Sequence, residues 1–374
     1  MAKKLLVAVL VGILAFSPVA NAAIKDGNTC KKFGQVQSST SSKFVCTKVG
    51  KKLLWKAISK PAPAVVKPTS FANLEANYKG IPDSVWSDAK KLFDKPLSTP
   101  ITVIVEKGPT TQILYSYSEI EYGISRANQL GANFPTQSKF SVIAFNYQDR
   151  DWAKARLNTF ESPFTLNDTF ADQVSVACSS ETECENAFGN ISIDSGLITQ
   201  ASPGVPNYTS RSVSTTRSHY AHEATHTIQK SIYKKYGLKR YSIPCWFSEG
   251  QPQVVGQTSA SENLASYTMN RRNWLRPPLR GLPDSSEASI NKFFDLQHQQ
   301  PCDAATRQHI YDIGSIAVEA LVAIGGISST FDVLDKYSSC MSFDQAFEKV
   351  YGISWANAKP ILARVVSKQY LEAN

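Results

Sequence analysis

Residues 214–236 have the makings of one long helix, and what that helix carries constrains the rest of the chain. No Gly or Pro interrupts the segment. Ser214 is a suitable N-cap, Lys234 and Lys235 fall in the last turn where cations suit the helix dipole, and Gly237 is a natural terminator. Ala221, Ala224, Ile228 and Ile232 recur at three- and four-residue steps, giving one apolar stripe to face a core. His219, His222 and His226 lie on another face, within the run His222-Glu223-Ala224-Thr225-His226. Histidines four apart stand one turn from each other on the same side. Both imidazoles can then converge on one tetrahedral ion, and the glutamate between them can reach its water. The chain has five histidines in 374 residues, so this spacing seldom arises by chance. The competing reading is a surface helix with an accidental pattern.

A structural zinc site is closed by four protein ligands, whereas a catalytic one keeps a position for water. Downstream, Pro244-Cys245-Trp246-Phe247-Ser248-Glu249-Gly250 places Glu249 23 positions after His226, room for a loop and the start of a second helix. At this point the sequence resembles the gluzincins, zinc metallopeptidases that use two helix histidines and a downstream glutamate as ligands. Trp246-Phe247-Ser248-Glu249-Gly250 is similar to the W-x-x-E-G segment of their peptidase-MA-like branch. The resemblance implies that His222, His226 and Glu249 hold one Zn²⁺. The competing reading of Glu249 is an ordinary solvated helix carboxylate. Glu223 is then the general base, taking a proton from water and delivering it to the leaving amine. For the oxyanion, Tyr311-Asp312-Ile313-Gly314 resembles a Tyr-x-x-Gly phrase of the same branch and makes Tyr311 the candidate donor, with His309 as the alternative. For both, a packed helix residue is the competing reading. His219, one turn before His222, is a supporting or solvated residue, and His298 has no identifiable partner in the sequence.

The match to the branch is incomplete. Where many of these enzymes carry a small residue two positions past the Glu-Gly pair and then an aromatic one, this chain continues Gln251-Pro252-Gln253-Val254-Val255. Proline is tolerated in the first turn of a helix, so the second helix is expected to begin near Ser248 or Glu249. Gln253, one turn beyond Glu249, can hydrogen-bond a ligand imidazole or face solvent.

The rest of the chain fits an exported enzyme. Lys3-Lys4, an apolar run from Leu5 to Phe16, and Ala20-Asn21-Ala22 read as a signal peptide over residues 1–22, with a retained anchor as the competing reading. No transmembrane segment is expected after its cleavage, since the apolar stretch Ile316 to Ile327 contains Glu319 and two glycines and reads as a core helix. Seven cysteines in an exported chain should mostly be oxidised. Short spacings pair Cys30 with Cys46 and Cys178 with Cys184; Cys245 with Cys302 follows as a third candidate, leaving at least one free thiol. No C-x-x-C spacing supports a cysteine zinc site. The net charge is +9, or +7 without Lys3 and Lys4, and is read as spread over the surface for solubility. An anionic cell-wall polymer is a candidate partner beside the peptide or protein substrate. No basic run has interleaved aromatics, which speaks against nucleic acid. Asn167, Asn190 and Asn207 each head an N-x-[ST] sequon.

The expected organisation is a small Cys-containing hairpin module at 23–59, a Pro-rich linker at 60–70 and a zincin-like metallopeptidase domain at 71–374. The hairpin module resembles Cys-containing modules at the N-termini of secreted Gram-positive proteins. In the main domain, Pro82 to Phe93 is expected as helix, Ile101 to Glu106 as strand, and Ser118 to Glu121 as a capping box opening a helix that ends near Gly131. Ser141 to Asn146, Gln173 to Cys178 and Asn190 to Asp194 are strand candidates, the last being the edge along which an extended peptide would pair. Later segments read as helices: Glu262 to Trp274, Ser289 to Gln297, Ile310 to Ala323, Phe343 to Tyr351 and Trp355 to Tyr370. The fold class is therefore α+β, with a mixed-sheet N-terminal lobe and a helical C-terminal lobe. Two functions follow. One is a secreted zinc peptidase; the other is a non-catalytic or weakly catalytic cell-wall or surface-binding protein on the same scaffold. The intact Glu223 favours the first.

Overall fold

The computed structural model describes residues 24–38, 43–58, 65–97, 99–112, 116–164, 169–202, 212–237, 243–275, 282–300 and 306–373. The expected signal peptide, Cys302, Asn167 and Asn207 lie outside them. The chain divides into two units, Met1–Val65 and Val66–Asn374, a boundary that falls inside the expected linker.

The first unit is an antiparallel meander of β1 (Val36–Ser38), β2 (Lys43–Val49) and β3 (Lys52–Ile58). Gly50 takes φ +60° at the first position of the two-residue turn between β2 and β3, the conformation that matches strand twist in a tight hairpin. Alternation places Phe44, Cys46 and Trp55 on the buried face, with Cys46 opposite Trp55. Residues 27–30 run along the free edge of β3, where Cys30 N donates to Leu53 O and Trp55 N to Asn28 O. Such a small core needs a staple. The Cys30–Cys46 disulfide supplies it.

The second unit is α+β, built on a four-stranded mixed sheet. Its strands are β4 (Thr102–Lys107), β5 (Lys139–Phe145), β8 (Ala187–Ile191) and β9 (Gly196–Ala201), in the order β4-β5-β9-β8. Between β5 and β8 the chain makes a two-stranded hairpin, β6 (Cys178–Ser180) and β7 (Glu183–Cys184), closed by the Cys178–Cys184 disulfide. Strands β4, β5 and β9 are parallel, and β8 returns antiparallel as one edge. Nearly all of β5 and all of β9 are buried, which accounts for the largely apolar sequence of β5, while β9 also buries Thr199 and Gln200.

Helices Ile81–Phe93 and Tyr117–Leu130 precede the long helix Val213–Lys235, and eight-residue or longer helices follow it to Ala373. Trp246 organises this helical region. It is fully buried, stacks on Trp355 at 5.4 Å and meets Phe294 at 5.2 Å. The apolar stretch that begins at Ile316 is a core helix, Asp312–Gly325, as its Glu319 suggested. No single described helix is long and apolar enough to cross a membrane.

Several local expectations change. Gln173 to Cys178 is a helix, Asp172–Ala177, because Val174 and Ala177 share one buried face while Val176 is 64% exposed. Ser118 and Glu121 form no capping box: the helix starts at Tyr117 behind Ser116. The edge strand spans Ala187–Ile191, and Ser192 closes a turn onto Ser195 instead of extending it. Strand β9 and helix Ile327–Ser338 went unread in the sequence. Cys245 is disulfide-bonded and Cys340 is free and exposed.

Candidate metal centre

The first site helix begins two residues earlier than the sequence suggested. Ser212, not Ser214, is the N-cap, its hydroxyl accepting from Thr215 N at 3.1 Å. Ala221, Ala224, Ile228 and Ile232 are fully buried as the stripe predicts, which fixes the rotation of the helix and turns His222 and His226 toward a cleft. Gly189 lets the edge strand approach this helix backbone to backbone; a Cβ there would collide with the carbonyl of Glu223.

The second site helix runs Cys245–Ala260. It starts at Cys245 rather than at Ser248 or Glu249, so Pro252 lies inside it and not in its first turn. Trp246, one turn before Glu249, anchors it in the aromatic core. The glycines of the two motif phrases meet. A Cβ on Gly250 would collide with Gly314 O, and one on Gly314 with Trp246 O. The Trp-Phe-Ser-Glu-Gly and Tyr-Asp-Ile-Gly phrases are thus the two sides of one close helix crossing. Glu249 stands beside the first glycine, and Tyr311 one turn before the second.

Three donor atoms converge. His222 Nε2 and His226 Nε2 are 3.2 Å apart, and Glu249 Oε2 lies 3.4 Å from the first and 3.2 Å from the second. The group could hold a metal ion. The far side of each imidazole is tied to an amide: His222 Nδ1 to Gln253 Oε1 at 3.1 Å and His226 Nδ1 to Gln229 Oε1 at 2.8 Å. An amide oxygen can only accept, so each Nδ1 is the donor and each Nε2 keeps its lone pair for the cleft. Gln253 therefore faces the ligand and not solvent.

Pro252 explains how Gln229 is held. In a regular helix the Ser248 carbonyl would accept from the N–H of residue 252, and proline has none. Gln229 Nε2 donates to that freed carbonyl at 2.9 Å and to Gln251 Oε1 at 2.8 Å. Gln251 in turn donates to Thr330 Oγ1 at 2.8 Å, so His226 is braced through a chain of neutral groups that ends on a third helix.

Glu223 is 6% exposed, and its Oε2 has no hydrogen-bond partner among the described residues. Burial works against charge on His226, but the Glu249 carboxylate, by charge and hydrogen bond, and Glu223 outweigh it and raise its pKa. Burial likewise opposes ionisation of Glu249, yet His226 and His222 hold its carboxyl far below the usual range. Lys230, one turn past His226, is pulled down to about 8 by burial, with Glu223 and Glu249 acting the other way. Its ammonium bonds Gly189 O at 2.6 Å and Asn190 Oδ1, clamping the edge strand to the site helix.

Two cavities flank the centre. One, about 450 Å³, is lined by hydroxyl and amide side chains such as Ser214, Ser218 and Gln257 together with His222; the other, about 230 Å³, contains Glu223, His226, Glu249 and Lys230. Tyr311 lines both, its ring centroid 6.2 Å from that of His222. Desolvation, with the Glu249 and Glu223 charges, raises its phenol pKa and keeps it a donor. A separate cavity of about 680 Å³, beside Arg271 and Gln369, includes none of the converging donors. His309 is buried and lines neither flanking cavity. His219 pairs with Gln200 of β9 at the rim of the larger flanking cavity, and His298 sits 3.4 Å from Asp344 and stacks on Trp355. Gln229, Gln251, Thr330 and Lys230 were not singled out in the sequence. A proline inside a helix facing an amide three residues after a ligand histidine is the signal that would have found the first.

Comparison of the chain with known protein families, curated proteins and solved structures finds no match.

Proposed function

We propose that the chain is a secreted zinc-dependent peptidase of the gluzincin kind, in the peptidase-MA-like branch, with a zincin-like main domain. One observation carries the reading: three converging donors beside a buried carboxylate that has one oxygen unpartnered. Two imidazoles and a carboxylate suit zinc, and they also suit non-haem iron. The glutamate between the two histidines, the pattern of H-E-x-x-H zinc sites, favours zinc.

When bound, zinc supplies Lewis acidity, polarising a carbonyl and making water acidic enough to attack near neutral pH. The protein's own residues do the rest. Glu223 accepts the water's proton on its free oxygen and returns it to the leaving amine. Tyr311 donates a hydrogen bond to the carbonyl oxygen as negative charge develops there. The outer edge of β8, a strand that Lys230 ties to the site helix, offers main-chain groups to an extended peptide. Three disulfide-bonded cysteine sites and the pattern of residues 1–22 support export.

The deciding experiment is metal analysis of the purified chain combined with a peptide library assayed with and without chelator. Expected are one zinc per chain and cleavage that chelator removes and zinc restores. A metal-replete chain without zinc, or a zinc-loaded chain that cleaves nothing, would leave the non-catalytic surface-binding reading in its place.

A further inference from the structure

The positive charge is not spread over the surface. Residues 1–58 hold ten lysines and one aspartate, a net of +9 that equals the charge of the whole chain, while residues 59–374 hold thirty basic and thirty acidic side chains. Lys3 and Lys4 fall in the expected signal peptide, which leaves +7 on the disulfide-stapled meander of residues 24–58. The unit that carries the candidate metal centre, Val66–Asn374, is close to neutral, at −1 once Lys60 before it is set aside.

The placement of these charges selects a partner. Lys25, Lys31 and Lys32 sit on the segment along the edge of β3, Lys48, Lys51 and Lys52 at the β2–β3 turn, and Lys43 and Lys56 toward the other end of the hairpin. All are exposed. The module's one acid, Asp26, lies 3.6 Å from Lys56, so the other lysines have no counter-charge within the module. The two ends of the hairpin are on the order of 15 Å apart, beyond a Debye length of about 8 Å at physiological salt, so each group of lysines acts separately. A planar membrane meets one side of such a body. A flexible chain with repeated charges can meet several. All eight cations are lysines and none is arginine, which gives point charges without the bidentate fork that reads bases. Of the three aromatic residues, Phe44 and Trp55 are buried and Phe33 alone is exposed, so the module lacks a stacking platform for nucleic acid.

We infer that residues 24–58 form a docking module for a linear polyanion, a polymer with repeating phosphate or carboxylate groups that is not a nucleic acid. Binding is by charge density and tethers the near-neutral unit to that polymer. The inference does not depend on the metal-centre reading, and it holds or fails whether or not the chain is a peptidase.

The test uses the full chain and four fluorescent probes: inorganic polyphosphate, polyglutamate, double-stranded DNA and anionic phosphatidylglycerol vesicles. The phosphate and carboxylate arms identify which repeating group is recognised. For seven neutralised charges on a flexible polyanion, log K should fall with log salt at a slope of about −5. Replacing Lys31, Lys32, Lys51 and Lys52 by Gln should bring the slope to about −2 and cut affinity at physiological salt by about 100-fold or more. Replacing Lys91, Lys95, Lys292 and Lys349 by Gln removes the same charge from the other unit and should leave binding within about twofold. All eight are exposed, and intact disulfides in each variant, checked by peptide mapping, verify the fold. Failure to bind either polymer, equal losses in both variants, or tighter binding to DNA or to vesicles would each overturn the inference.

Discussion

Two glutamates are buried in helices of the same domain and are treated in opposite ways. Glu319 is fully buried and fully matched: Arg271 donates to both its oxygens at 2.8 and 2.6 Å, and Tyr267 adds a third bond at 2.7 Å. Arg271 also reaches Gln369, so this closed network ties the C-terminal helix to the core. Glu223 is nearly as deep, yet one of its oxygens has no hydrogen-bond partner among the described residues. A buried carboxylate left unmatched costs about 1–3 kcal/mol or more. The fold matches the glutamate that holds structure with an arginine and leaves an oxygen of the one beside the converging donors unmatched among the described residues, as the proposed proton acceptor requires.

The sharpest test applies one substitution to both sites. Glu223→Gln should retain one zinc per chain and lower peptide hydrolysis by about 10²- to 10⁴-fold, with the metal-free chain no less stable than wild type. Retention of full activity would remove Glu223 from the chemistry. Glu319→Gln should leave metal content unchanged and destabilise by about 3–5 kcal/mol, because Arg271 is left as an uncompensated buried charge. Chemical denaturation reads this directly. If the two variants lose the same stability, the contrast between the sites is wrong.

A smaller effect probes the neutral bracing of the ligands. Gln229→Leu removes the acceptor for His226 Nδ1 and should weaken zinc affinity about 10- to 100-fold in a competitive chelator titration. An unchanged affinity would show that the amide chain to Thr330 does not orient the imidazole.

Next comes pH. In the metal-free chain the raised pKa of His226 reflects a proton shared with Glu249. That pair's stabilisation is present below the unfolded histidine value and is lost as pH rises through the raised folded one. Metal replaces the proton, so zinc affinity should fall by at least about tenfold per pH unit below that pKa. Glu249, held far below the usual carboxylate range, should add no slope near neutrality. Isothermal titration across pH 5–8, roughly the window where histidine titrates, measures the slope, and a flat profile would contradict it. The mildest change is Pro252→Ala. It returns an N–H to compete for Ser248 O, and should raise thermal stability while weakening zinc by about threefold or less. A gain in zinc affinity would refute the role given to the freed carbonyl.

The sequence made much of the helical lobe legible. Phe343–Tyr351 has the predicted bounds, and Trp355–Ala373 runs three residues past its expected end. Both carry strong apolar periodicity between clear boundary residues. Failures came where local signals compete. Val174 and Val176 look like alternating strand residues, but the six-residue helix keeps Val174 and Ala177 inside. Strand β9 was missed because Thr199 and Gln200 interrupt its apolar run; both are buried, and Gln200 finds its partner in His219, a long-range contact. Pro252 was placed in a first turn because a proline deeper in a helix normally costs about 3 kcal/mol. That cost is offset by a side chain from another helix, which local sequence cannot display.

Sequence alone determined the helix that carries His222 and His226 and two disulfide pairings, because each depends on periodicity or short spacing; the charge, read there as spread over the surface, is concentrated in the first 58 residues by simple count. Tertiary structure alone decided that Glu249 closes the triangle with both histidines, that Gln229 and Gln253 set their tautomers, and that Glu223 keeps an oxygen free. Those outcomes rest on how closely the two site helices cross, where a Cβ on Gly256 would collide with Ser218 O, and on how Gly250 seats the second of them against the helix of Gly314. A residue's partners across such a contact are fixed by geometry between distant segments, to which no local pattern gives access.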